Sequence, residues 1–181
     1  MSILYSIALF VSICPYMHRT IFLIADRIRS LYNVGSLFRT ADAFGVKKLY
    51  LCGYTGAPPR KEITKVALGA EQTVPWEKRG QTWKVVEELQ ARGVHVVALE
   101  QTKKSVPIQS LAFVLRRGQK LSFETVALVV GNEVNGVSPG VLCRADAIVH
   151  IPMLGKKESL NVSVAAGIAL YAIRYGITNN A

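Results

Sequence analysis

The chain has 181 residues, half of them hydrophobic, and its 22 basic against 12 acidic residues give a formal net charge of +10. These values exclude a disordered chain and fit one domain with a core large enough to need no disulfides. The excess of positive charge favours a polyanionic partner, with nucleic acid ahead of an anionic membrane; a merely soluble basic protein is the alternative.

The cysteines and histidines predict neither a disulfide framework nor a metal site. Three widely spaced cysteines, Cys14, Cys52 and Cys143, indicate a reducing compartment, which we take to be the cytoplasm. The histidines have no metal-ligand spacing with them, and His95 and His150 fall inside predicted strands, where a core or edge role is favoured. We therefore expect no bound metal.

The N-terminus carries an apolar run at residues 3–14 that lacks the charged start and the cleavage site of a signal peptide. It is also too short to span a bilayer as a helix. Because Met17 would open directly into the first strand, residues 1–16 are expected to come from an upstream start codon. We therefore predict an N-terminal extension at 1–19 and a single domain at 20–177. A membrane-associated enzyme anchored by this run is one alternative.

Strands and helices alternate along the rest of the chain. Apolar, β-branched runs predict strands at 20–25, 47–52, 94–99, 126–130 and 147–151. Helical spacing predicts helices at 34–44, 81–92, 108–115 and 161–175, and Pro139 after Ser138 starts a further short one. Asn33 is the expected N-cap of the first helix and Gly45 its C-terminal stop. The pattern predicts an α/β fold, a mostly parallel sheet with helices on both faces.

The last predicted helix is rich in small residues, which predict close packing against another element or a second subunit. They are Ala165, Ala166, Gly167, Ala169 and Ala172.

Two polar loops follow the strands at 126–130 and 147–151, and loops at the carboxyl ends of parallel strands are where ligands bind in α/β sheets. Backbone groups at Leu99, Gly131, Ile151 and Leu160 would line an apolar crevice suited to an adenine ring. Polar side chains that would reach it are those of Arg39, Glu133, Ser159 and Asn161. The glycine patterns of dinucleotide and P-loop sites are absent, as are the GxSxG and HExxH motifs of hydrolases and zinc proteases.

Three stretches resemble the motifs of the SpoU (TrmH-like) family of SPOUT RNA methyltransferases. They read NVGSLFRTADAFGV at 33–46, LVVGNEVNGVSPGVL at 128–142 and IPMLGKKESLNVSVAAGIAL at 151–170. Their order and spacing agree with the family, and the resemblance covers about residues 20–177.

The resemblance implies a SPOUT (α/β-knot) fold with a deep C-terminal trefoil knot at about 126–176 and a homodimer. It also implies S-adenosyl-L-methionine as methyl donor and methylation of a ribose 2′-hydroxyl in tRNA or rRNA, with no membrane and no metal involved. Matched motif by motif, the implied active-site residues are Asn33, Arg39, Glu133, Ser159 and Asn161. The implied cofactor contacts are Gly131, Ile151 and Leu160, with Leu99 at a strand end as a further one.

Arg39 is the residue on which the implied reaction depends. A guanidinium group stays protonated in proteins, so we expect Arg39 to stabilise the developing alkoxide and to grip the adjacent phosphate rather than to remove a proton. Asn33 either orients Arg39 or the RNA, or acts only as a helix cap. An RNA-binding protein that keeps the fold without methyltransferase activity is the second alternative.

RNA recognition would depend on basic patches of the domain, each of which is equally explained as a solvated surface. The patches are Arg27 with Arg29, Arg60 with Lys61, Lys78 with Arg79, Lys103 with Lys104, Arg116, Arg117 and Lys120, and Lys156 with Lys157.

Overall fold

A computed structural model describes residues 19–111 and 125–176. Seven strands form one sheet in the order β3-β2-β1-β6-β4-β7-β5, and every paired neighbour is parallel. The strands are β1 (Thr20–Asp26), β2 (Lys48–Cys52), β3 (Trp76–Arg79), β4 (His95–Leu99), β5 (Val106–Pro107), β6 (Thr125–Val130) and β7 (Ala147–His150).

Within the described ranges, six α-helices cover the two faces of the sheet. They are α1 (Leu31–Ala43), α2 (Lys61–Ala67), α3 (Ala70–Thr73), α4 (Thr82–Gln90), α5 (Pro139–Leu142) and α6 (Val162–Tyr175), with a 3-10 turn at Ile108–Ser110. Alternate residues of β1 point to opposite faces. Ile21 and Leu23 join α1, α2, α3 and α6 in one apolar cluster, and Phe22 and Ile24 join α4 and α5 in another.

All five predicted strands are confirmed to within one residue at each end. Strands β3 and β5 were not predicted, because neither has the buried apolar run on which the prediction of a strand depends. The edge strand β3 reads WEKR, which has no buried face, and β5 has only two residues. The predicted parallel sheet with helices on both faces is confirmed, and the missed helices α2 and α3 lie between β2 and β3.

The start of α1 corrects the prediction that Asn33 caps it. The helix begins at Leu31, and its N-cap is Ser30, whose Oγ accepts a hydrogen bond from the backbone N–H of Asn33. Asn33 therefore lies inside the first turn, and its side chain is free to bond elsewhere. The predicted C-terminal stop is confirmed, because Gly45 follows Phe44 with a φ of 59°.

Within the chain, the packing at Gly167 of α6 is ordinary rather than unusually close, and packing of α6 against a second subunit stays a prediction. A Cβ placed on Gly167 would lie 3.7 Å from Thr40 Cγ2, a normal contact distance. The closer approach is at Gly35 of α1, where a Cβ would lie 2.6 Å from the carbonyl oxygen of Ile63 in α2. Gly35 is thus the glycine that lets two helices of this face pack together.

Several predictions fall outside the described residues: the extension at 1–18, the end of the helix at 112–115, and the patch of Arg116, Arg117 and Lys120. In the described part of the chain, no helix is both long enough and apolar enough to cross a membrane.

Candidate active site

The carboxyl ends of β6, β4 and β7 enclose a cavity of about 220 Å³, here called the strand-end cavity. The register places these ends side by side, because Leu99 is opposite Val130 on one side and Val149 on the other. The four residues predicted to contact a cofactor all line this cavity: Leu99, Gly131, Ile151 and Leu160.

The polar lining of the strand-end cavity is acidic, although the chain as a whole is basic. Glu100, Glu133 and Glu158 line it, and no lysine or arginine of the described ranges does. His150 also lines it, with Nδ1 2.9 Å from Ser105 Oγ. Aliphatic walls with three carboxylates suit a ligand that combines an apolar ring with positive charge.

The loop after β6 is closed on itself by hydrogen bonds around Asn132. The backbone N–H groups of Asn132 and Gly136 each donate to the other residue's carbonyl oxygen, at 3.0 and 2.9 Å. Glu100 holds the end of this loop, because its Oε2 accepts a hydrogen bond from Val137 N at 2.7 Å. One wall of the cavity is therefore preformed, and a side chain of the β4 loop fastens it.

Three predicted site residues, Glu133, Asn33 and Asn161, form a continuous hydrogen-bonded series, here called the polar chain. Asn33 Nδ2 donates to Glu133 Oε1 at 2.8 Å, and Asn161 Nδ2 donates to Asn33 Oδ1 at 3.0 Å. Asn161 is also the N-cap of α6, since its Oδ1 accepts from Ser163 N at 2.9 Å. The fold thus joins residues that are up to 128 positions apart at the edge of the cavity.

Glu133 is a tightly held carboxylate at the N-terminus of α1. Burial opposes its ionisation, but hydrogen bonds from Arg29 N, the Asn33 side chain and Ser30 N outweigh that effect and lower its pKa below the usual value. The positive end of the helix dipole also favours a negative charge there. Glu133 is consequently anionic and already bonded at both oxygens, which suits a positioning residue better than a proton acceptor.

Arg39 does not belong to the same cavity. It is exposed on α1, where it lines a separate depression with Asp42, Leu68 and Thr73. Arg39 lies six positions after Asn33 on the helix, which is about 9 Å along the axis and about a third of a turn around it. Within one chain, the structure brings together Asn33, Glu133 and Asn161 but leaves Arg39 apart from them.

The remaining predicted residue, Ser159, lines the strand-end cavity from an exposed loop that also carries Lys156 and Lys157. The sequence analysis missed Glu100 and Asn132, which fasten the cavity wall. The signal for Glu100 was its place directly after β4, the strand that lies between β6 and β7. Among the residues the structure describes, no group of three or more His, Cys, Asp or Glu side chains could hold a metal ion.

The fold and this site define a parallel α/β protein whose candidate ligand cavity lies at the ends of three adjacent strands, beside the polar chain. Residues 20–171 match the model of the SpoU rRNA Methylase family. The chain belongs to this family, as the three motifs predicted.

Known relatives agree with this assignment. The chain is 36% identical over 148 residues to the tRNA (guanosine(18)-2′-O)-methyltransferase of Aquifex aeolicus, covering 81% of the chain and 65% of that enzyme. It resembles the crystal structure of the A. aeolicus TrmH/SpoU tRNA modifying enzyme with 32% identity and a TM-score of 0.75, covering 90% of the chain and 78% of that structure.

An AdoMet-bound rRNA methyltransferase from Sinorhizobium meliloti gives the same TM-score of 0.75 with 29% identity, covering 93% of the chain and 60% of that structure. The match to the A. aeolicus tRNA methyltransferase covers 65% of the length of that enzyme, so the chain spans less than two thirds of this relative.

Proposed function

We propose that this protein is an S-adenosyl-L-methionine-dependent methyltransferase acting on a ribose 2′-hydroxyl of tRNA or rRNA. Its family membership supports the reaction class, and the names of its relatives support RNA as substrate. The net charge of +10 supports a polyanionic partner.

The observation that carries the proposal is the strand-end cavity bordered by the polar chain. S-adenosyl-L-methionine combines an adenine ring with a sulfonium and an ammonium group. The aliphatic walls fit the ring, and Glu100, Glu133 and Glu158 fit the positive charges. The donor would then lie beside Asn33 and Asn161, where a ribose can approach.

When bound, the donor supplies an electrophilic methyl group. The ribose oxygen bonds to the methyl carbon as the carbon–sulfur bond breaks, and the proton passes to the neighbouring phosphate or to water. Arg39 stabilises the alkoxide and holds that phosphate through its guanidinium fork. The polar chain and Ser159 position the reacting groups, and most of the acceleration comes from this alignment.

We infer that the active form is a homodimer whose partner completes the site. The exposed face of α6 carries Val164, Ile168, Tyr171 and Tyr175, spaced so that they form one stripe, here called the α6 stripe. A second copy covering the stripe would bury an apolar surface that is otherwise in water. We further propose that this pairing brings Arg39 of one protomer to the polar chain of the other, because Arg39 and Glu133 line separate depressions within one chain.

The proposal includes three further features of the molecule. Residues 20–177 act as one domain, and the path from about 126 to 176 forms the deep trefoil knot that the family resemblance implies. The spacing of the cysteines supports a cytoplasmic location. Residues of the loops after β6 and β7 line one cavity, an arrangement that supports this proposed path.

The test of this function measures donor binding and methyl transfer separately. Calorimetry should detect binding of S-adenosyl-L-methionine, and labelled donor should transfer methyl groups to unfractionated tRNA or to rRNA. Arg39→Ala should bind the donor normally and lose about 100- to 1,000-fold in turnover. Arg39→Lys should recover only part of it, because a lysine keeps the charge without the bidentate fork.

The alternative of an RNA-binding protein without activity predicts a different pair of results. RNA would bind, yet no methyl group would be transferred to any RNA tested. Full turnover by Arg39→Ala would contradict the role given to that side chain.

A further inference from the structure

The loop after β2, residues 53–59, presents an exposed aromatic ring next to the candidate active site. Tyr54 has 58% of its surface exposed. Its hydroxyl oxygen nevertheless accepts a hydrogen bond of 2.8 Å from Asn132 Nδ2, and the residue after Asn132 is Glu133. The ring is thereby tied to the loop that holds the polar chain.

The backbone on both sides of Tyr54 is also fixed. Thr55 is fully buried, and its Oγ1 accepts from Ile28 N at 2.9 Å and donates to Ala25 O at 3.2 Å. Lys78 Nζ donates to Gly53 O at 2.7 Å and also to Thr55 O. Tyr54 is therefore an exposed ring that is already immobilised, so a ligand that stacks on it would lose little further conformational entropy.

The segments that follow β1 and β2 are joined through Thr55, and both carry exposed cationic side chains. Arg29, Arg60 and Lys61 are exposed in the segments that follow β1 and β2. The nearby carboxylates are already bonded: Asp26 is buried and accepts from Ser138 N, and Glu133 accepts from Arg29 N. A ring with cationic neighbours suits a nucleotide, whose base stacks and whose phosphate is anionic.

We propose that Tyr54 is a stacking platform for a base of the RNA substrate, next to the nucleotide whose ribose enters the site at Asn33 and Glu133. This inference rests on the proposed function, since it assigns a contact to that same substrate. Arg29 serves as a neighbouring phosphate contact. Because every base has an aromatic face, the platform orients the RNA near the site without selecting a sequence.

The test compares three substitutions of one side chain. Tyr54→Ala removes the ring, Tyr54→Phe keeps the ring and removes the hydroxyl, and Tyr54→Trp enlarges the ring. Affinity for unfractionated tRNA and for fragmented rRNA is measured with each at several salt concentrations. Calorimetry with S-adenosyl-L-methionine and thermal unfolding are run on the same preparations, so that loss of the ring is separated from loss of the fold.

Stacking predicts that Tyr54→Ala weakens RNA binding about 5- to 150-fold while donor affinity is unchanged. Tyr54→Phe should stay within about 2-fold of the original chain, and Tyr54→Trp should bind at least as tightly. The salt dependence should be unaltered in Tyr54→Ala, whereas Arg29→Ala should reduce the slope by about one.

Equal losses in the Ala and Phe variants would overturn the inference, because they would assign the effect to the Asn132 hydrogen bond. Weak binding by Tyr54→Trp, or unchanged binding by Tyr54→Ala, would overturn it as well. Failure of the proposed function has a separate signature: the original chain would bind RNA, and lose affinity with Tyr54→Ala, without transferring a methyl group.

Discussion

Gly131 is the residue at which the cavity wall tolerates no side chain. A Cβ there would lie 2.2 Å from both Gly136 C and Val137 N. These are backbone atoms, fixed by the paired hydrogen bonds between Asn132 and Gly136. We expect Gly131→Ala to force the loop open and to weaken binding of S-adenosyl-L-methionine at least about 10-fold, with a loss of about 1–3 kcal/mol in stability. Calorimetry and thermal unfolding measure the two effects.

Gly80 provides the matched control, because no atom outside its neighbours lies within 4 Å of a Cβ placed there. Gly80→Ala should bind the donor as the original chain does. Normal donor binding by Gly131→Ala would mean that the loop after β6 is not part of the donor site.

At the scale of elements, Glu133 joins the loop after β6 to the start of α1. Its oxygens accept from Arg29 N, Ser30 N and Asn33 Nδ2 at 2.8–3.0 Å. Glutamine has one accepting oxygen, so Glu133→Gln would turn an N–H donor towards a backbone N–H. Because the site is exposed, we expect a loss of about 1 kcal/mol, or about 2–4 °C in Tm, at pH 7.

The stability difference between the original chain and Glu133→Gln should depend on pH. The folded state lowers the pKa of Glu133, so the ionised carboxylate stabilises the fold above the usual glutamate pKa of about 4.3. That contribution disappears as the pH falls through the lowered folded value. Unfolding measured from pH 7 down to about pH 3 should therefore show the difference between the original chain and Glu133→Gln shrinking. A difference that grows towards low pH would contradict the assignment.

The same contact explains why the prediction of Asn33 as the N-cap of α1 was wrong. Ser30 and Asn33 are both good caps and both precede an apolar run, so local pattern does not separate them. Glu133, 103 residues further along the chain, binds the N–H of Ser30 and starts the helix there. The cavity residues Leu99, Gly131 and Ile151 were predictable because parallel register aligns strand ends. The position of Arg39 was not, because it depends on how α1 is rotated against the sheet.

At the scale of the whole molecule, Arg39 and the polar chain lie in different parts of the surface of a single chain. Arg39 lines one depression, while Glu133 lines another whose described lining shares no residue with the first. The proposed homodimer resolves this if each site takes Arg39 from one protomer and Asn161 from the other. Closed two-fold symmetry would then build two identical shared sites.

Mixing two inactive variants tests this arrangement. Arg39→Ala and Asn161→Ala homodimers should each be nearly inactive. In mixed dimers, one of the two sites combines an intact Arg39 with an intact Asn161. Random exchange at equal concentrations makes about half of the dimers mixed, so methyl transfer to unfractionated tRNA should recover to about a quarter of the original rate. Sites contained within one protomer predict no recovery, since every protomer would carry a defect.

A substitution in the α6 stripe controls for the role of association. Tyr171 is 56% exposed, and Tyr171→Glu would place a charge in the buried centre of the proposed interface. Introduced into both inactive variants, it should produce monomers in light scattering and abolish the recovery. Gln81→Glu adds the same charge at an exposed position preceding α4 and should leave both the dimer and the recovery intact. Recovery that persisted in Tyr171→Glu monomers would refute the shared site, because activity would then arise without the partner.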